Sequence, residues 1–251
     1  MKYVLLALLS VLASCSKEVE EATVAPTHQP WFEDAAKEWG VDFTYQNGAE
    51  GNFHIKEVTG GGAALFDYDN DGDLDLYIVQ GSAVEGNALF ENVDGTFVNR
   101  SQSSGADDNG YGIGVATGDY DNDGDVDLYV TNIGVNALLR NDGNGKFTDV
   151  TTFSGTEDEG FSACSAFGDL DGDGDLDLVV TKYLDVELIT DRECLDARSQ
   201  RTYCNPTIYD APMHDSLFIN NGDGTFTDAT ESSVLASVKG TGLGVFISDL
   251  T

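Results

Sequence analysis

The feature that most constrains this chain is a nine-residue acidic stretch that recurs three times in register. It reads Asp67-Tyr68-Asp69-Asn70-Asp71-Gly72-Asp73-Leu74-Asp75, then Asp119-Tyr120-Asp121-Asn122-Asp123-Gly124-Asp125-Val126-Asp127, then Asp169-Leu170-Asp171-Gly172-Asp173-Gly174-Asp175-Leu176-Asp177. Aspartates at positions 1, 3, 5 and 9 of a tight loop gather hard oxygen ligands around one point, as Ca2+ requires. Glycine at position 6 allows the left-handed backbone that turns position 9 back toward position 1. All fifteen aspartates are candidate metal residues. Asp73, Asp125 and Asp175 at position 7 are expected to offer a backbone carbonyl and turn their side chains to solvent. The apolar residue at position 8 is expected to anchor each loop in the core. A merely solvated acidic turn is the alternative, and three copies in register, each followed by an apolar run, weigh against it. An EF-hand needs Glu at position 12, where this chain has Ile78, Val130 and Val180. The glycine-rich nonapeptide of parallel β-helices is absent as well.

The loops recur because the chain does. Their first aspartates stand at 67, 119 and 169. Before each runs a small, glycine-rich segment (Gly60-Gly61-Gly62-Ala63-Ala64-Leu65-Phe66 and its counterparts at 112–118 and 162–168). After each comes a short apolar run: Leu76-Tyr77-Ile78-Val79, Leu128-Tyr129-Val130-Thr131 and Leu178-Val179-Val180-Thr181. Continuous, β-branched runs of this length read as strands covered on both faces. A hairpin follows at 87–97, 136–147 and 215–226, with Asp-Gly or Asn-Gly as the turn signal. Four short strands in about fifty residues is the size of one propeller blade. The expected fold is all-β: a β-propeller of four-stranded Ca2+-loop blades, about three of them plus a partial fourth. Two insertions break the period, at 41–58 and 183–213. The second is the expected partner-contact element, since long rim loops often carry function.

Twelve Lys and Arg against 45 Asp and Glu give a formal charge of −33, so nucleic acid is excluded as a partner. Three calcium ions would offset only part of that charge; the rest is a solubilising surface. Residues 1–14 read as a signal peptide, with Lys2 ahead of an apolar stretch at 4–12 that is too short to span a bilayer. Leu12-Ala13-Ser14-Cys15 resembles a bacterial lipoprotein box, which implies lipid on Cys15; Ser16 in place of Asp implies the outer membrane. Residues 15–29 form a polar tether and 30–251 the repeat domain. The compartment is then oxidising, and Cys194 and Cys204, ten residues apart in one polar loop, are the natural disulfide pair. Cys164 replaces a glycine of the other repeats and reads as a small buried thiol. At the end, residues 242–251 start a fourth glycine-rich strand and loop; Asp249 aligns with Asp67 as a possible partial metal loop, and Thr251 stands where the others have Asp. The expectation is a fragment of a longer protein.

The glycine-rich strand, the Asp-x-Asp-x-Asp-Gly-x-x-Asp loop and Asn-x-Leu-x-x-Asn-x-x-x-Gly-x-Phe together resemble FG-GAP/VCBS repeats. More narrowly, Phe32-Glu33-Asp34-Ala35-Ala36, Val41-Asp42-Phe43 and the run from Gly61 to Gly72 are similar to the cartilage acidic protein 1-like group, whose bacterial members often carry an ASPIC/UnbV domain. The resemblance covers about residues 31–251. It implies a calcium-binding propeller like that of integrin α-subunit heads, with seven blades in a full ring. No ASPIC/UnbV segment occurs in this sequence, and the fourth loop is incomplete.

Two functions follow as expectations. The first is a calcium-stabilised, surface-displayed module that binds or adheres to a protein or glycan, touches the membrane only through its N-terminal lipid, and is not an enzyme. The second is part of a polysaccharide lyase or hydrolase with the propeller as scaffold. No nucleophile elbow or zinc-protease helix motif supports the second, and His28, His54 and His214 lie in the tether and the insertions.

Overall fold

The computed structural model describes residues 31–82, 84–189 and 192–248. The expected signal peptide and tether, the lipidation residue Cys15 and the partial loop at Asp249 lie outside them. The chain divides into two compact units, Met1–Asp34 and Ala35–Thr251. In the first, residues 31–34 form no strand.

Among its described residues the second unit is all-β and holds three antiparallel, four-stranded blades of a β-propeller. Blade 1 is β1 (Ala63–Phe66), β2 (Asp75–Ile78), β3 (Ala88–Val93) and β4 (Thr96–Asn99), hydrogen-bonded in that order. Blade 2 is β5 (Tyr111–Gly118), β6 (Asp127–Val135), β7 (Ala137–Asn141) and β8 (Phe147–Asp149). In the third, β9 (Glu159–Gly168) and β10 (Asp177–Lys182) precede a small hairpin, β11 (Cys194–Leu195) and β12 (Arg201–Thr202). The blade is then completed by β13 (Ser216–Asn220) and β14 (Phe226–Asp228). Blades 2 and 3 join into one curled eight-stranded sheet, because β6 and β9 run past their own blades and pair with each other at Ile133↔Phe161 and Val135↔Glu159.

Alternation along the second strand of each blade builds the core between blades. In β2, Tyr77 and, just beyond it, Val79 face blade 2, where they pack with Leu128, Val130 and Leu139. One residue along β6, Tyr129 faces the other way and packs with Leu178, Val180 and Phe218 of blade 3. A strand covered on both faces has no polar side, which is why these runs read as continuously apolar. The same parity corrects one expectation. Val126, at loop position 8, packs against the core shared by blades 1 and 2. Leu74, its counterpart in loop 1, is 55% exposed, because its side of blade 1 is the one turned away from blade 2.

The glycine-rich first strands lie where successive blades approach closest. A Cβ on Gly62 would sit 3.0 Å from the Gly114 Cα, one on Gly114 2.9 Å from the Ala163 carbonyl, and one on Gly118 2.9 Å from the Phe167 ring. Cys164, half-buried in the same strand position, closes the series. Beyond blade 3 the expected fourth strand is not formed over residues 242–248, but the chain returns to this inner position: Gly242 N donates to the Lys182 carbonyl at 2.9 Å, as Gly112 N does to Gln80 at 3.0 Å. A Cβ on Gly168 would there meet the Ile247 side chain at 2.7 Å.

The two insertions meet each other. Tyr203 donates to Glu57 at 3.1 Å across 146 residues of sequence, and its ring packs edge-on against Phe53 with centroids 5.2 Å apart. Arg201 lies over the same Phe53 ring. Ile55 from the first insertion, with Tyr183, Leu184, Cys204, Tyr209 and Ala211 from the second, forms a core with Phe161 of β9. Cys194 and Cys204 are disulfide-bonded, closing the β11–β12 hairpin. The insertions therefore form a cap at the end of the blades opposite the acidic loops.

Candidate metal centres

Each acidic stretch is the loop between the first two strands of a blade. Register pairs Phe66 with Asp75, Gly118 with Asp127 and Gly168 with Asp177, so position 9 opens the second strand opposite the residue before position 1. The turn needs two left-handed residues. Position 6 is Gly72, Gly124 and Gly174, with φ of 95°, 95° and 97°; position 4 is Asn70, Asn122 and Gly172, with φ of 61°, 57° and 83°. Asparagine tolerates that region better than other side chains do.

Inside the loop the aspartates take distinct roles. Position 1 accepts from backbone amides across the turn: Asp67 from Asp71 and Gly72 (3.1 and 3.0 Å), Asp119 from Asp123 and Gly124 (3.1 and 3.0 Å). Asp169 accepts from Gly172 and Gly174 at 2.7 and 3.2 Å. Position 9 is buried and ties the start of the loop to the third strand of its blade. Asp75 accepts from Tyr68 N and Asn92 N at 2.9 and 2.8 Å, Asp127 from Tyr120 N and Asn141 N at 3.1 and 2.7 Å, and Asp177 from Leu170 N and Asn220 N at 2.8 and 2.9 Å. Position 3 does neither in the first two loops. One oxygen each of Asp69 and Asp121 is buried with no hydrogen-bond partner.

Those oxygens point to a cation. An unpartnered buried carboxylate oxygen is costly unless a cation satisfies it. The carboxylates of Asp67, Asp69 and Asp71, of Asp119, Asp121 and Asp127, and of Asp169, Asp171 and Asp177 each offer oxygens within 4.8 Å of one another. An all-oxygen, multiply charged donor set fits a hard dication such as Ca2+. Burial, with repulsion from Asp71 and Asp123, pushes the carboxyls of Asp69 and Asp121 above the usual range. Burial alone dominates at Asp75, whose pKa also rises, and at Asp127, which is pushed up to about 8. A bound dication would reverse the sign of this local field.

Position 7 stands outside these clusters. Asp125 Oδ1 accepts from Asn70 Nδ2 of the preceding loop at 2.5 Å, and Asp175 Oδ1 accepts from Asn122 Nδ2 at 2.7 Å. Their other oxygens lie against Gly143 and Gly222, where a Cβ would come within 2.9 and 2.8 Å. Asp73 is exposed. Position 5 is exposed in all three loops and accepts from the amide two residues on at 2.9 Å in each; Asp71 alone of these joins a cluster.

Residues outside the loops complete the frame. The last asparagine of Asn-x-Leu-x-x-Asn, with Asp215 in the first place in blade 3, reaches across the blade interface: Asn141 Nδ2 donates to the Tyr68 carbonyl and Asn220 Nδ2 to the Tyr120 carbonyl, both at 2.8 Å. Tyr68 in turn stacks on Phe147, and Tyr120 packs on Phe226. The sequence motif was visible, but its partner lies one blade away. Among known families, residues 67–130 and 119–180 match the FG-GAP-like repeat. No curated protein matches the chain.

Proposed function

We propose that this chain, which carries FG-GAP-like repeats on propeller blades, is a calcium-stabilised extracytoplasmic binding module. The observation that carries the metal reading is the pair of buried, partnerless oxygens on Asp69 and Asp121, each beside further carboxylates. Asp67, Asp69 and Asp71 would hold the ion in loop 1; Asp119, Asp121 and Asp127 in loop 2; Asp169, Asp171 and Asp177 in loop 3. The ion would neutralise repelling carboxylates and fix the turn between the first two strands of each blade. With free Ca2+ tenfold above Kd, each site adds about 1.4 kcal/mol and three add about 4. That is a large share of a typical stability of about 5–15 kcal/mol.

Binding, rather than catalysis, is the reading we favour for the cap. It presents Leu195 and Tyr203 to solvent on a disulfide-closed hairpin held against the first insertion, and Ile208 on the turn that follows it. Polar groups beside the cap are held in structural contacts. His214 donates from Nδ1 toward the carbonyls of Leu235 and Val238 at 3.1 Å. Lys182 is buried, and its ammonium contacts Asp158 at 2.7 Å and Ser162 Oγ and the Glu159 carbonyl at 3.0 Å. The partner is a protein or glycan, and the anchor is a lipid on Cys15 at the outer membrane. The test is a glycan and extracellular-protein array, run with calcium and with chelator beside a polysaccharide-degradation assay. Calcium-dependent capture without turnover is expected. Turnover that disappears on changing His54 or His214 would overturn the reading in favour of an enzyme.

A further inference from the structure

We propose that the calcium loops of adjacent blades are coupled, so that occupying one raises the affinity of the next. The inference rests on the reading that these loops hold a cation, and concerns what the chain's own residues do between them. Asn70 is position 4 of loop 1, between the carboxylates Asp69 and Asp71. Its side chain leaves its own loop and donates to Asp125 in loop 2 at 2.5 Å. From Asp125 the hydrogen bonds run inward: Asp125 N donates to Asp123 Oδ1 at 2.9 Å, and Asp123 N to Asp119 Oδ1 at 3.1 Å. Asp119 is in the second cluster. The relay repeats one blade on. Asn122 donates to Asp175 at 2.7 Å, Asp175 N to Asp173 Oδ1 at 2.9 Å, and Asp173 N to Asp171 Oδ1 at 3.2 Å.

Position 4 must be left-handed, and glycine would serve that need alone, as Gly172 does in loop 3 at φ 83°. Asparagine at 70 and 122 adds a donor that the turn itself does not use. Fixing Asp69 and Asp71 on an ion orders Asn70 between them, which holds Asp125 and the next loop in the arrangement described above. Linkage makes the effect reciprocal. Electrostatics alone gives the opposite sign, since a dication in one loop lowers the negative potential felt by its neighbour. Salt at physiological strength screens that term over about 8 Å, whereas a direct hydrogen bond persists. Both links are solvent-exposed, so we expect each to raise the neighbour's affinity about fivefold, the low end for coupled sites.

The experiment is isothermal titration of the chelator-stripped full chain with Ca2+ at physiological salt. It compares wild type with the double variant Asn70→Gly, Asn122→Gly. The variant keeps the left-handed backbone and every loop carboxylate, and circular dichroism confirms its fold. The expected result is a wild-type isotherm steeper than independent sites allow and a variant isotherm that fits independent sites. Equal steepness in the two chains, or independent or negatively cooperative binding in wild type, overturns the coupling while leaving the sites in place. A well-folded wild type that takes up no Ca2+ overturns both the coupling and the metal reading.

Discussion

Replacing Asp127 by Ala isolates the part that the position-9 carboxylate plays in holding the fold. Asp127 is fully buried, and its two oxygens accept from Tyr120 N at 3.1 Å and Asn141 N at 2.7 Å. The first amide belongs to the loop and the second to the end of β7, so one side chain ties the loop to the third strand. Truncation strands two buried N–H groups, each costing about 1–3 kcal/mol. The expected loss is about 2–6 kcal/mol, or a fall in Tm of about 5–20 °C for a domain of this size. Asp125→Ala, two residues earlier, is the control. It loses one exposed hydrogen bond, from Asn70, and should cost under about 1 kcal/mol. Urea unfolding in chelator measures both without any contribution from bound metal. The reasoning fails if Asp127→Ala unfolds within about 0.5 kcal/mol of wild type, a change ordinary for surface substitutions, or if the two variants cost the same.

Three further outcomes follow from the same geometry. In chelator, stability should fall as pH rises from about 4 to about 8. The native Asp127 carboxyl is raised to about 8 and those of Asp69, Asp75 and Asp121 are also raised, so the native state binds more protons than the unfolded chain in that window. Urea midpoints at pH 5 and pH 8 check this, and a higher midpoint at pH 8 contradicts it; with Ca2+ present, the ion displaces those protons and the trend reverses. Gly114→Ala should cost about 1–3 kcal/mol, because its Cβ meets the Ala163 carbonyl and Thr131 Oγ1 at 2.9 Å between two blades; thermal unfolding reads this out. Reducing the Cys194–Cys204 bond should cost about 2–3 kcal/mol on the loop-entropy model. Amide exchange should then quicken around Tyr203 and Glu57, which the closed hairpin holds together.

The blades were legible in the sequence because their signals are local. In blades 1 and 2 the loop aspartates, the left-handed glycine at position 6, the apolar second strand and the turn of the following hairpin all fall within about thirty residues of one another. What stayed hidden depends on the neighbouring blade. Asn70 and Asn122 read only as spacers between aspartates, since their acceptors lie 55 and 53 residues on. Leu74 and Val126 look equivalent in sequence, yet one is exposed and the other packed, because only one faces another blade. The glycines of the inner strands marked a strand without saying why it must be bare; the reason is a backbone from the next repeat within about 3 Å of a missing Cβ. The two insertions likewise gave no sign that Tyr203 would meet Glu57, a contact closed across 146 residues.

Calcium uptake by the folded chain tests the central claim most directly. Protein stripped with chelator, shown folded by circular dichroism and dialysed against Ca2+, should retain about three ions, one for each carboxylate cluster. Its Tm should rise by about 8–16 °C, the shift that about 4 kcal/mol of ion binding gives a domain of this size. Folded protein that retains no calcium, with a Tm the same in Ca2+ and in chelator, would contradict the account.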